Sequence, residues 1–157
     1  LGLPREAAEA YRKALELDPE STTAHYNLGA SLVQIGEFAE AEEQFRVAIA
    51  AKPSTLAYTG LGIALRQQGR MDEAAASLQD AIKADHKNAA AYAQLVSILV
   101  QQGKLEQAVP LYRQLLANQP SAAAHQQLAE ILTRLGRTDE ARRELELAKA
   151  LAPSPRA

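Results

Sequence analysis

The chain has 157 residues, a formal net charge of −2 and no cysteine. Its Lys and Arg are interspersed with acidic residues, so it lacks the clustered positive charge that binding along nucleic-acid phosphates requires, and without cysteine it has neither disulfides nor thiol catalysis. No apolar run approaches the roughly 18 residues that span a bilayer, so we expect neither nucleic-acid binding nor membrane insertion.

Isolated glycines recur along the chain at intervals of 34, 33, 34 and 33 residues. A proline follows most of them at seventeen residues, and His86 holds that position once. A fixed period of this size is typical of one structural unit copied end to end, in which each copy packs on its neighbours. The glycines are Gly2, Gly36, Gly69, Gly103 and Gly136, and the prolines are Pro19, Pro53, Pro120 and Pro153.

Between these markers the apolar residues recur with helical spacing, so each period predicts a pair of helices. The loop glycine supplies a positive φ that ends the first helix, and proline stops the second. In chain order we predict helices near residues 5–17, 22–35, 38–51, 55–68, 72–84, 89–102, 105–118, 122–135 and 139–151. The expected caps of the first helices are Ser21 or Thr22, Ser54 or Thr55, Asn88 and Ser121.

Pro110 departs from this pattern, because it falls well inside a predicted second helix. A proline there removes one backbone hydrogen bond and crowds a carbonyl, at a cost of roughly 3 kcal/mol in a helix interior. We therefore expect a bend or a late helix start at this position, unless the proline is simply tolerated on the exposed side.

Each first helix, turned at about 100° per residue, has a small apolar side for its partner helix and an opposite, accessible side. The accessible side is rich in amides: Asn27, Gln94 and Gln127 stand at equivalent positions, and Gly60 interrupts that row. Gln is also simply a good residue for an exposed helix surface. The candidate binding residues on this side are Tyr26, Asn27, Gln34, Thr59, Arg66, Gln67, Gln94, Ser97, Gln101, Gln127, Glu130 and Arg134.

The pattern resembles the tetratricopeptide repeat, a helix–turn–helix of about 34 residues. The Leu-Gly pair, the bulky residues, the alanines and the closing proline of that repeat have counterparts over roughly residues 1–153. The matches are Leu28, Gly29, Leu32, Ala41, Phe45, Ala48 and Pro53 in one repeat, and Tyr58, Leu61, Gly62, Leu65, Ala74, Leu78 and Ala81 in the next.

The resemblance implies an all-α fold, a right-handed superhelical solenoid of antiparallel helix pairs. We expect a single domain, 1–157, divided into a half repeat 1–21, repeats 22–54, 55–88, 89–121 and 122–153, and a tail 154–157. The chain begins without methionine and inside a repeat, so we expect it to be a piece of a longer protein. Its first residues therefore do not reveal the compartment, and the cytoplasm is only the default expectation.

The resemblance also implies a scaffold that binds a protein or an extended peptide in a concave groove lined by the candidate residues. Amides both donate and accept hydrogen bonds, so a row of them could pair with a peptide backbone, as in the similar Asn ladder of O-linked N-acetylglucosamine transferases. An alternative interpretation is therefore a substrate-targeting segment of a larger enzyme such as a glycosyltransferase. The cationic clamp of co-chaperone members is not matched, because uncharged residues such as Tyr26 and Gly60 occupy its positions.

No residue set predicts catalysis or a cofactor. His25 and His125 hold the same repeat position as Tyr58 and Tyr92, so we expect them to pack between helices, and His86 falls in an exposed turn. No nucleophile has an orienting base, and no pair of histidines has the spacing of metal ligands. We therefore expect a protein that is not an enzyme and that needs no cofactor or metal.

The two ends of a solenoid lack a neighbouring repeat and expose apolar surface. Tyr11 lies on the first predicted helix, and Leu145 and Leu151 lie on the last. The rest of a longer protein or another copy of this chain could cover these faces. For the isolated chain we expect end-to-end self-association.

Overall fold

The structure, a computed structural model, describes residues 2–151 of the chain. Within that range it consists of nine α-helices joined by short turns, without a strand. The predicted tail 154–157 and Pro153 lie outside the described residues. The helices are α1 (Gly2–Leu17), α2 (Thr22–Ile35), α3 (Phe38–Ala51), α4 (Thr55–Gln67), α5 (Met71–Ala84), α6 (Ala89–Gln101), α7 (Leu105–Asn118), α8 (Ala122–Arg134) and α9 (Thr138–Leu151).

The turns follow the predicted pattern of glycine and proline, because both residues restrict or permit backbone conformations without help from the rest of the fold. Four loop glycines have the expected positive φ, between 71° and 84°: Gly36, Gly69, Gly103 and Gly136. The prediction for Gly2 is wrong, since this residue lies inside α1. Pro4 explains the early start of α1, because a proline in the first turn of a helix lacks only an N–H that has no intrahelical partner there.

The predicted caps satisfy backbone N–H groups at three of the four first helices. The Ser54 hydroxyl accepts from the Ala57 N–H at 3.2 Å, and the Ser121 hydroxyl accepts from the Ala124 N–H at the same distance. The Asn88 Oδ1 accepts from the Ala91 N–H at 3.1 Å. Ser21 occupies the cap position of α2 without a side-chain hydrogen bond to the helix. Capping of this kind stabilises a helix by about 1 kcal/mol.

Pro110 lies in the interior of α7, and the helix runs through it from Leu105 to Asn118. The late start is wrong, because α7 begins two residues after Gly103, as α5 begins two residues after Gly69. The Pro110 side chain is exposed, so the carbonyl that loses its partner can bond to water. A bend at Pro110 stays a prediction.

The described residues form two compact units, residues 2–94 and residues 95–151, and the boundary falls inside α6. In the first unit α2 packs on α1, α3 and α4, and α4 packs on α3 and α5. Its core contains Leu28, Leu32, Phe45, Leu65 and Leu78, all nearly inaccessible to solvent. Burying one such side chain contributes about 1.5–3 kcal/mol, so the paired helices are held mainly by this apolar layer.

The second unit is built in the same way, with α8 packed on α7 and α9. Its core contains Tyr112, Leu116, Leu128, Ile131 and Leu132. Small residues bring the paired helices together in both units, with Ala129 of α8 at the position that Gly62 holds in α4. A Cβ on Gly62 would lie 2.6 Å from the Leu78 Cγ, so that close approach requires glycine.

Candidate interaction site

A cleft between α2 and α4 lies on the predicted accessible side of these first helices. Its volume is about 240 Å³. The walls are mostly apolar, and Leu56 on the rim leaves 59% of its surface exposed. We call this the α2–α4 cleft, and its lining residues are Tyr26, Ala30, Val33, Gln34, Phe45, Leu56, Thr59, Gly60 and Ile63. A cleft of this size fits one large side chain rather than a whole small ligand.

The floor of the α2–α4 cleft is the ring of Phe45, which α3 supplies from below. The ring is buried, with 1% of its surface exposed, and lies against Gly60. A Cβ at Gly60 would overlap three ring carbons, the farthest only 2.9 Å away. The Tyr26 ring tilts at 55° over Phe45, with the ring centroids 6.0 Å apart, a favourable aromatic arrangement. Gly60 thus makes room for the floor of the cleft.

Three of the predicted binding residues line this cleft, and they differ in accessibility. Gln34 is exposed and Tyr26 is half-buried, whereas Thr59 is buried. The Thr59 hydroxyl donates to the Thr55 carbonyl at 2.7 Å and accepts from the Asn88 Nδ2 at 2.9 Å. Its polar atom is therefore occupied within the protein, and it contributes shape to the cleft rather than a hydroxyl for a ligand.

The remaining predicted residues of the first unit are not among those that line the cleft. Asn27 is half-buried and Gln67 is exposed. Arg66 lies one turn beyond Ile63 on α4, and its Nη1 donates to the Gln94 Oε1 of α6. Within residues 2–151, this amide is the only hydrogen-bonding or ion-pair partner of the Arg66 guanidinium. The accessible side of α2 and α4 therefore carries a single formal charge, which is positive.

In the second unit, the predicted residues are held differently. Ser97 is half-buried, and Gln101, Gln127, Glu130 and Arg134 are exposed. The Tyr112 hydroxyl of α7 donates to the Gln127 Oε1 at 3.1 Å. Burial, and to a smaller extent the negative charge of Glu130, raises the pKa of the Tyr112 hydroxyl. The Oε1 atoms of two amides in the predicted row, Gln94 and Gln127, thus already accept hydrogen bonds inside the protein.

Two of the histidines pack between paired helices, as predicted. His25 Nδ1 lies 2.7 Å from the Gln44 Oε1, and its Nε2 lies 2.9 Å from the Pro19 carbonyl. His125 Nδ1 lies 2.6 Å from a carboxylate oxygen of Glu144. His86 is exposed, as expected for a turn.

Sequence reasoning missed Phe45 and Leu56 as parts of the candidate site. Phe45 matches the core pattern of its helix and gives no sign of facing a second helix as well. The available signal was Gly60, a helix-interior glycine fifteen residues after the phenylalanine, since a glycine inside a helix often marks close approach of another group.

A family model for the tetratricopeptide repeat matches residues 1–55, 31–89 and 93–155. The chain belongs to the tetratricopeptide repeat family. Members of this family are protein-interaction scaffolds and typically have no catalytic activity, so the protein is a helical-repeat scaffold with an all-α fold. No curated protein matches the chain by sequence.

Solved structures agree with this assignment. A crystal structure of MamA protein is 27% identical, with a TM-score of 0.85, and the alignment covers 98% of this chain and 90% of that one. YrrB, described as a tetratricopeptide repeat protein with an unusual peptide-binding site, is 25% identical with a TM-score of 0.77, and the alignment covers 96% and 79%. MamA from Desulfovibrio magneticus RS-1, at 20% identity, shares the fold with a TM-score of 0.82 over 96% and 86%.

Two further expectations from the sequence concern a parent glycosyltransferase and insertion in a membrane. Neither the family match nor these structures supports the interpretation as a targeting segment of a glycosyltransferase. None of the described helices is long and apolar enough to cross a membrane.

Proposed function

We propose that this tetratricopeptide repeat protein binds an extended peptide across α2 and α4, with one apolar side chain of the peptide inserted in the α2–α4 cleft. The cleft itself carries the proposal, because it combines apolar walls and a buried aromatic floor with an open rim. Such a concave apolar site with a few polar groups at its edge is the usual form of a binding site. The unusual peptide-binding site described for YrrB, a protein of similar fold, supports the class of ligand.

Amide side chains around the cleft are proposed to hold the peptide backbone. Gln34 and Gln67 are exposed, and an amide can accept from a peptide N–H while donating to a peptide carbonyl. Gln94 accepts from Arg66 through its oxygen, which leaves its NH₂ group to donate to a ligand. Backbone contacts of this kind depend little on peptide sequence, so selectivity would come from the side chain in the cleft.

The expected affinity is modest. Inserting one aliphatic or aromatic side chain contributes about 1.5–3 kcal/mol, and an extended peptide loses conformational entropy when it docks. Dissociation constants on the order of micromolar are expected for a single peptide.

The proposal can be tested with a substitution that fills the α2–α4 cleft, followed by a measurement of peptide affinity. Peptides selected from a random displayed library on the immobilised protein provide the probe, and fluorescence anisotropy provides the dissociation constant. Ala30→Met should fill the cleft from α2, because Met is unbranched and adapts to irregular space. We expect binding to weaken about tenfold or more, since loss of one buried side chain corresponds to at least that factor.

The matched control is Ala39→Met on α3, an exposed alanine outside the cleft, which should leave the affinity unchanged. The proposal fails if Ala30→Met binds the selected peptides as tightly as the original protein does. It also fails if the selection returns no peptide.

End-to-end self-association stays a proposal as well. Leu145 and Leu151 of α9 keep 43% and 46% of their surface exposed, and Tyr11 of α1 is half-buried. Exposed leucines at the last helix are consistent with a face that another protein surface covers.

A further inference from the structure

Arg66 carries the only formal charge on the two helices that enclose the α2–α4 cleft, since neither α2 nor α4 contains another Asp, Glu, Lys or Arg. It follows the cleft residue Ile63 by three positions, so it lies about one helical turn, or roughly 4.5 Å, farther along α4. The polar residues that line the cleft itself, such as Gln34 and Thr59, are uncharged. A single positive group therefore stands beside an apolar cleft.

Arg66 differs in its partner from the other half-buried arginines of the first unit. Arg12 and Arg70 each pair with two carboxylates, at 2.6 to 3.3 Å. The Arg66 Nη1 instead donates to the neutral Gln94 Oε1, and within residues 2–151 the guanidinium has no carboxylate partner. A neutral oxygen compensates a partly desolvated charge less well than a carboxylate does. Much of the attraction of Arg66 for an anion is therefore unused.

The hydrogen bond to Gln94 leaves one edge of the Arg66 guanidinium for a ligand. Only Nη1 takes part in that bond, and Nε and Nη2 donate to no other atom of residues 2–151. Their N–H groups point in the same direction and form the fork that can bind both oxygens of a carboxylate. The bond to Gln94 also restricts the side chain, so less conformational entropy is lost when a ligand binds. The guanidinium is thus already oriented to bind an anion.

A carboxylate suits this position better than a phosphate group does. A phosphate group carries nearly two negative charges and is usually bound by a cluster of arginines, whereas α2 and α4 together have one cation. A single guanidinium fork matches a single carboxylate in charge and in the number of oxygens. The position also differs from those of the co-chaperone clamp, which hold uncharged residues such as Tyr26 and Gly60 here. An acidic side chain is therefore the anion that fits.

We propose that the peptide bound at the α2–α4 cleft carries an Asp or Glu two residues from its inserted apolar side chain, with the carboxylate paired to Arg66. The inference rests on the proposed function, which fixes where the apolar side chain of the peptide lies. In an extended peptide, side chains two residues apart point to the same side and stand about 6.6 Å apart. From one turn beyond Ile63, the long Arg66 side chain can reach a carboxylate at that spacing. The ligand class is thus an extended peptide with one apolar and one acidic anchor.

The inference can be tested with versions of one peptide taken from the library selection described above. Its apolar anchor is the residue whose replacement by Ala weakens binding most, and Glu, Gln or phosphoserine is placed two residues before or two residues after it. At one of these positions, fluorescence anisotropy at low salt should show the Glu peptide binding about fivefold or more tightly than the Gln peptide, and high salt should reduce this preference. Equal affinities of the Glu and Gln peptides at both positions, or tighter binding of the phosphoserine peptide than of the Glu peptide, would overturn the inference.

Arg66→Gln should bind the Glu peptide only as tightly as the Gln peptide, because the charge that distinguishes them is gone. Gln is a good helix former, so folding should be preserved; should it not be, Arg66→Val replaces it, since α2 carries Val33 at the equivalent position. The matched control is Arg5→Gln, which removes the same charge from an exposed position of α1 and should keep the preference for Glu. The inference fails if Arg66→Gln keeps the preference, or if Arg5→Gln reduces it equally.

Charge reversal distinguishes a direct pair from a structural role of Arg66. Arg66→Glu should prefer a Lys version of the peptide over the Glu version, because the pair then forms with the charges exchanged, and a continued preference for Glu would contradict the pair. The filled-cleft variant Ala30→Met should weaken the Glu and Gln peptides by the same factor. If Ala30→Met has no effect, the proposed function fails, whereas an effect of Ala30→Met without any preference for Glu removes only the acidic anchor.

Discussion

Phe45 in the first unit and Tyr112 in the second hold the same repeat position, nine residues after their loop glycines, yet they meet different partners. The Phe45 ring lies against Gly60 and floors an open cleft. The Tyr112 hydroxyl instead donates to Gln127, which holds in α8 the position that Gly60 holds in α4. The aromatic residue without a hydroxyl group, Phe45, thus faces a glycine, and the one with a hydroxyl group, Tyr112, faces an amide.

The comparison shows how one repeat pattern can produce either a cleft or a polar contact. A phenyl ring has no polar atom, so it can be sealed against backbone, and the missing side chain of glycine leaves space above it. A phenol that is buried usually finds a hydrogen-bond partner, and the amide that provides it occupies the space. The residues nine after one loop glycine and nine before the next thus form part of a cleft in the first unit and a hydrogen bond in the second.

The largest effect is expected when Gly60 in the first unit is replaced by glutamine, the residue that the second unit has at the equivalent position, Gln127. Gly60→Gln should destabilise the protein by about 2 kcal/mol, because its Cβ overlaps the buried Phe45 ring and overpacking costs about 1–3 kcal/mol. Urea denaturation followed by circular dichroism measures the change.

Phe45→Leu in the same chain should recover part of the lost stability, since Leu78 shows that leucine suits this repeat position. Additive effects of Gly60→Gln and Phe45→Leu would mean that the ring and the glycine are not coupled.

A smaller effect is expected from removing the hydroxyl in the second unit. Tyr112→Phe loses its hydrogen bond to Gln127 and should cost about 1 kcal/mol in the same urea experiment. Gln127→Ala should cost a similar amount in the original chain and almost nothing once Tyr112 is Phe. A full additional loss in the double variant would show that Gln127 stabilises α8 by some other contact.

The smallest effect concerns the pH dependence of the same tyrosine. Burial and the charge of Glu130 raise the pKa of Tyr112 in the folded protein, so the folded state holds the proton more tightly than the unfolded state. The resulting stability is fully present below the unfolded tyrosine pKa of about 10 and is lost as the pH rises through the folded value.

Removing the negative charge with Glu130→Gln should lower the pKa of Tyr112, while burial still keeps it raised. The measurement is ultraviolet titration of tyrosinate, with the Tyr112→Phe variant subtracted to isolate this residue among five tyrosines. A pKa of Tyr112 that rises or stays constant in Glu130→Gln would contradict the proposed cause.

The helices could be predicted almost to the residue because their ends depend on local chemistry. A loop glycine such as Gly69 adopts positive φ whatever lies around it, and Ser54 or Ser121 caps the helix that follows. The predictions of a loop at Gly2 and of a late helix start at Pro110 are wrong for a related reason. A glycine ends a helix only where it adopts positive φ, and a proline delays a helix only where the preceding turn cannot form. The repeat pattern does not specify either condition at these two positions.

The candidate site was less predictable because it depends on contacts between helices. Thr59 has the right place on α4 for a binding residue, but Asn88 from a later part of the chain turns its hydroxyl inward. In the sequence Gly60 is only a gap in an amide row, whereas in the structure it makes room for a ring from another helix. Neither fact follows from the residue and its immediate neighbours.

The sequence by itself determined the family, the helix pairs and the side of each first helix that faces away from its partner, because periodic apolar residues and turn residues act over a few positions. Only the tertiary structure decided which of those positions stay open. Space at the surface depends on the volumes of side chains that meet from distant parts of the chain, as with Phe45 beneath Gly60.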